Sequence, residues 1–357
     1  MVERRMFISQ RRVLLVFALA LAARYPVLAV DVEGTGRVST RLDVDSNARR
    51  EFEQFGTQTD GVVSAIGSGR GRLLFPWGVL AGTYDVAAQK FFTVTSEDVL
   101  IQSATVALSI PIGGLLAAGV DARAKDRRGG SRRYTDLAGG GFLLFFPGDG
   151  WTIRLGGSGH RFIYPPFFPY SFTAGEATGQ VEYRFARRHS VAFLGDFGVR
   201  WFNAVADVNP AQPPSQNPEQ RVDKVAIAGL SYRYQGPVLA SVAYSYGNFD
   251  SNSFGQSAHR HRLSASVGVR LPWQSTLLAE GVLELTNYPD RIFISPEILL
   301  INDENLNSIS IKLARPILSN VDIELDYAFY QASFPGTGMT YNYLRMVGGI
   351  GLTWRLW

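Results

Sequence analysis

The sequence predicts an all-β chain: a transmembrane antiparallel up-and-down β-barrel of about sixteen strands. Three observations lead there. Segments of alternating apolar and polar residues recur along nearly the whole chain. The connections between them alternate short and long. Charged residues gather on one face of a segment, opposite an uncharged face.

The hairpin Arg262 to Thr286 shows the pattern most plainly. Leu263, Ala265, Val267, Val269 and Leu271 fall on one side of its first arm. Arg262, Ser264, Ser266, Gly268 and Arg270 fall on the other. A period of two is that of a strand with two unlike faces. After Pro272-Trp273-Gln274, the second arm sets Leu277, Ala279, Gly281, Leu283 and Leu285 against Glu280, Glu284 and Thr286, with Leu278 and Val282 as exceptions.

Of the 357 residues, 46% are hydrophobic and 18% charged, and cysteine is absent. A secreted chain without disulfides needs a large fold held by its own ladders. Residues 1–29 read as a secretory signal peptide and 30–357 as the barrel. Arg4, Arg5, Arg11 and Arg12 precede the apolar run Val13 to Ala23, and Val27-Leu28-Ala29 supplies a small-residue cleavage site. The chain holds 35 basic and 31 acidic residues; the leader takes five Arg and one Glu, leaving 30 of each. The basic balance therefore belongs to the leader and gives no ground for a nucleic-acid partner. After Ala29 no uncharged apolar run has transmembrane-helix length, so a chain that crosses a bilayer here does so as a closed barrel.

In order, the predicted strands are Gly36–Asn47, Gly61–Leu74, Val79–Lys90, Val99–Ile110, Leu115–Lys125, Tyr134–Phe146, Trp151–Ile163, Thr173–Phe185, Ser190–Ala206, Val222–Tyr234, Val238–Phe249, His259–Leu271, Ser275–Asn287, Leu306–Ala314, Val321–Tyr330 and Tyr343–Trp357. Short connections centre on Pro76-Trp77, Pro111-Ile112, Pro147 to Gly150, Arg187-Arg188, Gly236-Pro237, Pro272-Trp273 and Pro316. Proline cannot donate to a ladder and so ends a strand. Long connections, such as Ala48–Asp60, Asp207–Arg221 and Tyr288–Asn305, lie between them. Of the six Trp, Trp77, Trp151, Trp273, Trp354 and Trp357 sit at the short-turn end and Trp201 towards the other, as two interfacial girdles would place them.

Charge gives a third test. Asp121, Arg123 and Lys125 share one parity, as do Glu176, Glu182 and Arg184, and Asp322, Glu324 and Asp326. An Arg at the lipid midplane costs about 2–4 kcal/mol, so these faces belong in a wet lumen. Other lumen candidates are Arg154, Arg233, Arg262, Arg270, Glu280 and Glu284. The late acidic residues and the basic ones would form opposed walls across a channel, or else pair locally and merely keep the wall soluble.

Three further stretches bear on function. Tyr164-Pro-Pro-Phe-Phe-Pro-Tyr-Ser-Phe172 is a stiff aromatic loop; folded inward, Tyr164, Phe167, Phe168, Tyr170 and Phe172 could stack on sugar faces, and otherwise the loop packs on its neighbours. Residues Lys125 to Arg133 read as a basic loop suited to lipopolysaccharide phosphates, or as a solvated one. His259-Arg-His261 and His160 lie near strand ends. No third metal ligand and no Gly-x-Ser-x-Gly or His-Glu-x-x-His motif accompanies them. No cofactor, metal or catalytic residue is expected.

Short turns alternating with long loops and a terminal aromatic, Trp357, resemble Gram-negative outer-membrane barrels of the porin and polysaccharide-export porin type. Asp45-Ser46-Asn47 is similar to a short sequence in exporter-type barrels. Arg355 departs from the terminal pattern, and Ile350, Leu352, Trp354 and Leu356 run out of phase with Trp357. The resemblance implies an integral outer-membrane location with both termini periplasmic. It implies assembly by the barrel-assembly machinery, contact with outer-membrane lipid and lipopolysaccharide, and passage of polar solutes. A polysaccharide or oligosaccharide is the specific expectation. Exporters of this kind often carry a helical repeat domain, so its part would fall to a separate polysaccharide-export partner. An enzyme with a rim site and a structural or adhesive barrel are the alternatives.

Overall fold

The computed structural model describes residues 31–130, 132–208, 219–289, 307–335 and 340–356. The predicted leader, Trp357 and parts of the connections 207–221, 288–305 and 331–342 lie outside them. Sixteen antiparallel strands follow in order: β1 Asp31–Asp45, β2 Asp60–Phe75, β3 Gly78–Phe91, β4 Val99–Pro111, β5 Leu116–Gly129, β6 Tyr134–Phe145, β7 Trp151–Ile163, β8 Phe172–Phe185, β9 His189–Val205, β10 Gln220–Gln235, β11 Val238–Ser251, β12 Ala258–Arg270, β13 Thr276–Asn287, β14 Asn307–Leu318, β15 Val321–Pro335 and β16 Thr340–Arg355. Each pairs with its sequence neighbours, and β1 closes on β16 from Arg37 opposite Arg355 to Asp45 opposite Val347. The chain is thus a closed, all-antiparallel sixteen-strand barrel. Asp31 and Arg355 lie at the end of the cylinder that holds the short turns.

Several boundaries differ from the sequence reading: β1 begins at Asp31 rather than Gly36 and β15 continues to Pro335 rather than Tyr330, and two others change the reading of a connection. β14 continues to Leu318, past the expected turn at Pro316. Pro316 pairs with Asp322 just before a register shift, because a bulge leaves a ladder position without a required N–H donor. β5 runs on to Gly129, so most of the expected basic loop is strand. Arg127 turns to the lumen there, and Arg132 is buried, donating from Nη2 to the Arg50 carbonyl at 2.8 Å. Neither offers a free surface to lipopolysaccharide.

Because residues opposite each other in a ladder share a face, the register assigns every side chain inward or outward. Leu263 and Leu283 are opposite each other and 44% and 48% exposed, whereas Arg262 and Glu284, one position along, form an ion pair. Among the described strands, outward charges are Lys90, Asp126, Arg128, Arg161, Lys224, Asp250 and Arg315, each near a strand end. The band between them is uncharged, as hydrocarbon requires. Aromatics border it. At the short-turn end Trp151 stacks on Tyr183 at 4.5 Å, and Phe185 stacks on His189, which meets Tyr232 at 2.7 Å. Towards the long-loop end, Tyr244 and Tyr246 bond Nδ1 of His261 and His259 at 2.8 and 3.0 Å. Those two histidines therefore face outward as girdle residues.

Candidate functional site: the lumen wall

The register places all fourteen lumen candidates on the inner face: Asp121, Arg123 and Lys125 on β5, Arg154 on β7, Glu182 and Arg184 on β8, and Arg233 on β10. Arg262 and Arg270 on β12, Glu280 and Glu284 on β13, and Asp322, Glu324 and Asp326 on β15 complete the set. A cavity of about 470 Å³ lies inside the barrel, lined by Lys125, Arg127 and Tyr134 on one side and by Glu280, Lys312 and Arg345 on the other.

The expected acidic wall is largely neutralised. Glu324 is held by Lys312 at 2.7 Å, Asp322 by Arg355 at 3.0 Å, and Glu284 by Arg260 and Arg262 at 3.2 Å each; Asp326 pairs with Arg41. Only Glu280 of that group has no ion pair among the described residues. The reading of one acidic wall facing one basic wall gives way to local pairing. Arg260, Lys312 and Arg355 lie on inward positions of the neighbouring strand, and Arg41 reaches Asp326 from two strands away, so each of these carboxylates finds a cation. Elsewhere Asp121 pairs with Arg154 at 3.0 Å, Asp136 with Arg123 at 3.5 Å, and His160 reaches Asp136 and, at 3.9 Å, Glu176.

The seam between first and last strands carries a network that the sequence reading missed. Asp45 receives two Arg345 donors, Nε at 3.1 Å and Nη2 at 2.7 Å. Arg41 reaches across β16 to Asp326 on β15 while also pairing with Asp43 at 2.9 Å. It can do so because Gly349 and Gly351 lie between: a Cβ at either would collide with Asp43 or Arg41. Ser39 and Thr353 share a hydrogen bond of 2.7 Å. The signal was present, since Arg41, Asp43 and Asp45 alternate with Leu42 and Val44.

Asp45-Ser46-Asn47 then turns the next connection inward. Asn47 donates from Nδ2 to the carbonyls of Glu51 and Leu344 at 2.7 and 3.0 Å, and its Oδ1 accepts the Glu51 N–H at 3.0 Å. This seats Phe52, 2% exposed, against Tyr343 and Ala332 on the inner wall. Arg50 reaches the lumen cavity from the same connection.

The aromatic loop divides. Tyr164 is buried and Phe172 joins the inner wall, where Phe162, Phe172 and Phe202 follow one another at 5.4 and 5.1 Å. Phe167 and Phe168 are exposed instead, with Phe167 packed on Tyr170 at 4.5 Å. The short 3-10 segment Pro165–Tyr170 lifts them away because its prolines fix the backbone and Ser171 ties the loop base, accepting the Tyr164 N–H at 2.9 Å. An inward-folded loop bearing all five rings is not what forms.

No protein-family model matches the chain, and the search of curated proteins found no similar sequence. Among solved structures, it resembles the loop L8 deletion mutant of OmpT, an outer membrane protein of Vibrio cholerae. The identity is 10%, over 92% of this chain and 100% of that one, with a TM-score of 0.49. A bacterial polysaccharide outer membrane secretin is 9% identical over 90% and 98%, with a TM-score of 0.44. Pseudomonas aeruginosa OccD3 is 10% identical over 91% and 92%, with a TM-score of 0.40. Likeness of this degree assigns neither a family nor a ligand.

Proposed function

We propose that the protein is a channel of the Gram-negative outer membrane that conducts polar solutes through its lumen, and that it is not an enzyme. One observation carries this reading: charged side chains line the inside of a closed cylinder whose outside is uncharged between its aromatic borders. Sixteen strands enclose more space than side chains fill, so the interior admits water. In this reading the short turns and both termini face the periplasm, the leader directs export, and the barrel-assembly machinery inserts the chain. A polysaccharide or oligosaccharide remains the specific solute we favour. The support is the mixture of guanidinium groups, carboxylates and the Phe162–Phe172–Phe202 row on one wall. Such a wall can hydrogen-bond hydroxyls while a ring takes the apolar sugar face. Planar-bilayer recording of the purified chain tests the reading. Stepwise conductance increments are expected, and a folded, inserted chain that never conducts would overturn it.

A further inference from the structure

Charges of both signs lack an ion pair along the lumen wall among the described residues, Asp85, Asp196 and Glu280 among them, but the short-turn end carries an excess of arginine. At the short-turn end, Arg37 on β1, Arg70 and Arg72 on β2, Arg233 on β10 and Arg270 on β12 all face the lumen. None of the five has an ion pair among the described residues. The acidic groups at that end are fewer: Glu33 lies opposite Arg72, Glu182 is 3.9 Å from Arg184, Asp322 is held by Arg355, and Asp31 lies opposite Leu74 with no ion pair among the described residues. A mouth with an excess of guanidinium groups, Arg37, Arg70, Arg233 and Arg270 beyond the Arg72 that faces Glu33, raises the local concentration of anions and repels cations.

Further along the lumen, cations lie over rings. Arg200 sits over Phe172 at 5.4 Å, Arg221 over Phe202 at 4.1 Å, and Arg260 over Phe249 at 4.9 Å. Lys125 over Tyr134 at 5.8 Å and Arg345 over Tyr330 at 5.5 Å continue the series. All are inward positions in the long-loop half. Arg221 is engaged by Asp223 and Arg260 by Glu284, but Arg200 has no ion pair among the described residues and its Nε is shielded without an acceptor. A guanidinium attracted to a ring face still has N–H donors to give to a carboxylate or phosphate. Beside it, half-buried Phe162 offers an apolar face, whereas Phe202 is 8% exposed and covered by Arg221.

We infer that the lumen selects anions, and that its ligand is an acidic saccharide whose carboxylate meets Arg200 while its ring lies on the adjoining Phe162 and Phe172. This rests on the channel reading and names its solute class.

The full chain in planar bilayers under a tenfold KCl gradient tests it. The reversal potential should show chloride preference. The combined variant Arg37→Gln, Arg70→Gln, Arg233→Gln and Arg270→Gln should move that potential towards cations. These groups hold no ion pair among the described residues, and an unheated gel band checks that the variant folds. Trigalacturonate should block the current and maltotriose should not. Arg200→Gln should weaken that block about tenfold, the usual scale for losing one charged contact. A conducting channel that prefers cations, or a four-fold variant with an unshifted potential, overturns the inference and leaves the channel standing. Inorganic phosphate blocking as well as trigalacturonate overturns the saccharide part. Absence of conductance removes both.

Discussion

Replacing Asp45 with alanine probes how the barrel is closed. Asp45 is 1% exposed and accepts from both Nε and Nη2 of Arg345, as well as from the Asn47 N–H at 3.0 Å. Its removal leaves the Arg345 guanidinium shielded without its carboxylate and loosens the connection that seats Phe52. Breaking one side of a buried pair costs about 3–5 kcal/mol. Arg345 lines the lumen cavity, where water can reach it, so the lower end applies: about 3 kcal/mol, or roughly 150-fold in the folding equilibrium. Urea unfolding in lipid vesicles, followed by tryptophan fluorescence, measures it. Arg345→Ala should cost a similar amount, and the double variant about 2 kcal/mol less than the sum, because the two share one interaction. Losses under about 1 kcal/mol in both single variants, with no coupling, would show that the seam does not depend on this pair and would refute the reasoning.

Other substitutions test other parts of the architecture. Leu325→Arg places a charge on the outward face and should destabilise by about 2–4 kcal/mol, whereas Ala243→Arg on the lumen face should cost under about 1 kcal/mol; equal costs in the same urea titration would contradict the inside–outside assignment. Gly349→Val drives a side chain into Asp43 and the Leu42 carbonyl, so the closing β1–β16 ladder should fail and the folded gel band should be lost. Phe52→Ala removes the ring that anchors the inward connection and should raise the conductance and its noise; an unchanged trace would mean that this connection does not narrow the path.

The sequence by itself determined the barrel, because a period of two is a local property: each strand's own alternation declares its two faces without reference to any neighbour. It also separated the short turns from the long loops, and it singled out fourteen inward charges between Asp121 on β5 and Asp326 on β15, though not their inward neighbours Arg200, Asp223 and Lys312. What it did not determine is which charges meet. Arg41 lies 285 positions from Asp326, and Arg345 lies 300 from Asp45; only ring closure, with glycines at Gly349 and Gly351 to let Arg41 pass, brings the first pair together. The same limit applies to the aromatic loop, whose composition could not say which rings its prolines would turn away. Tertiary structure alone decided that the acidic wall is paired and that uncompensated arginines remain, because neutralisation depends on distances across strands, and strand neighbours at the seam are set only when the sheet closes on itself.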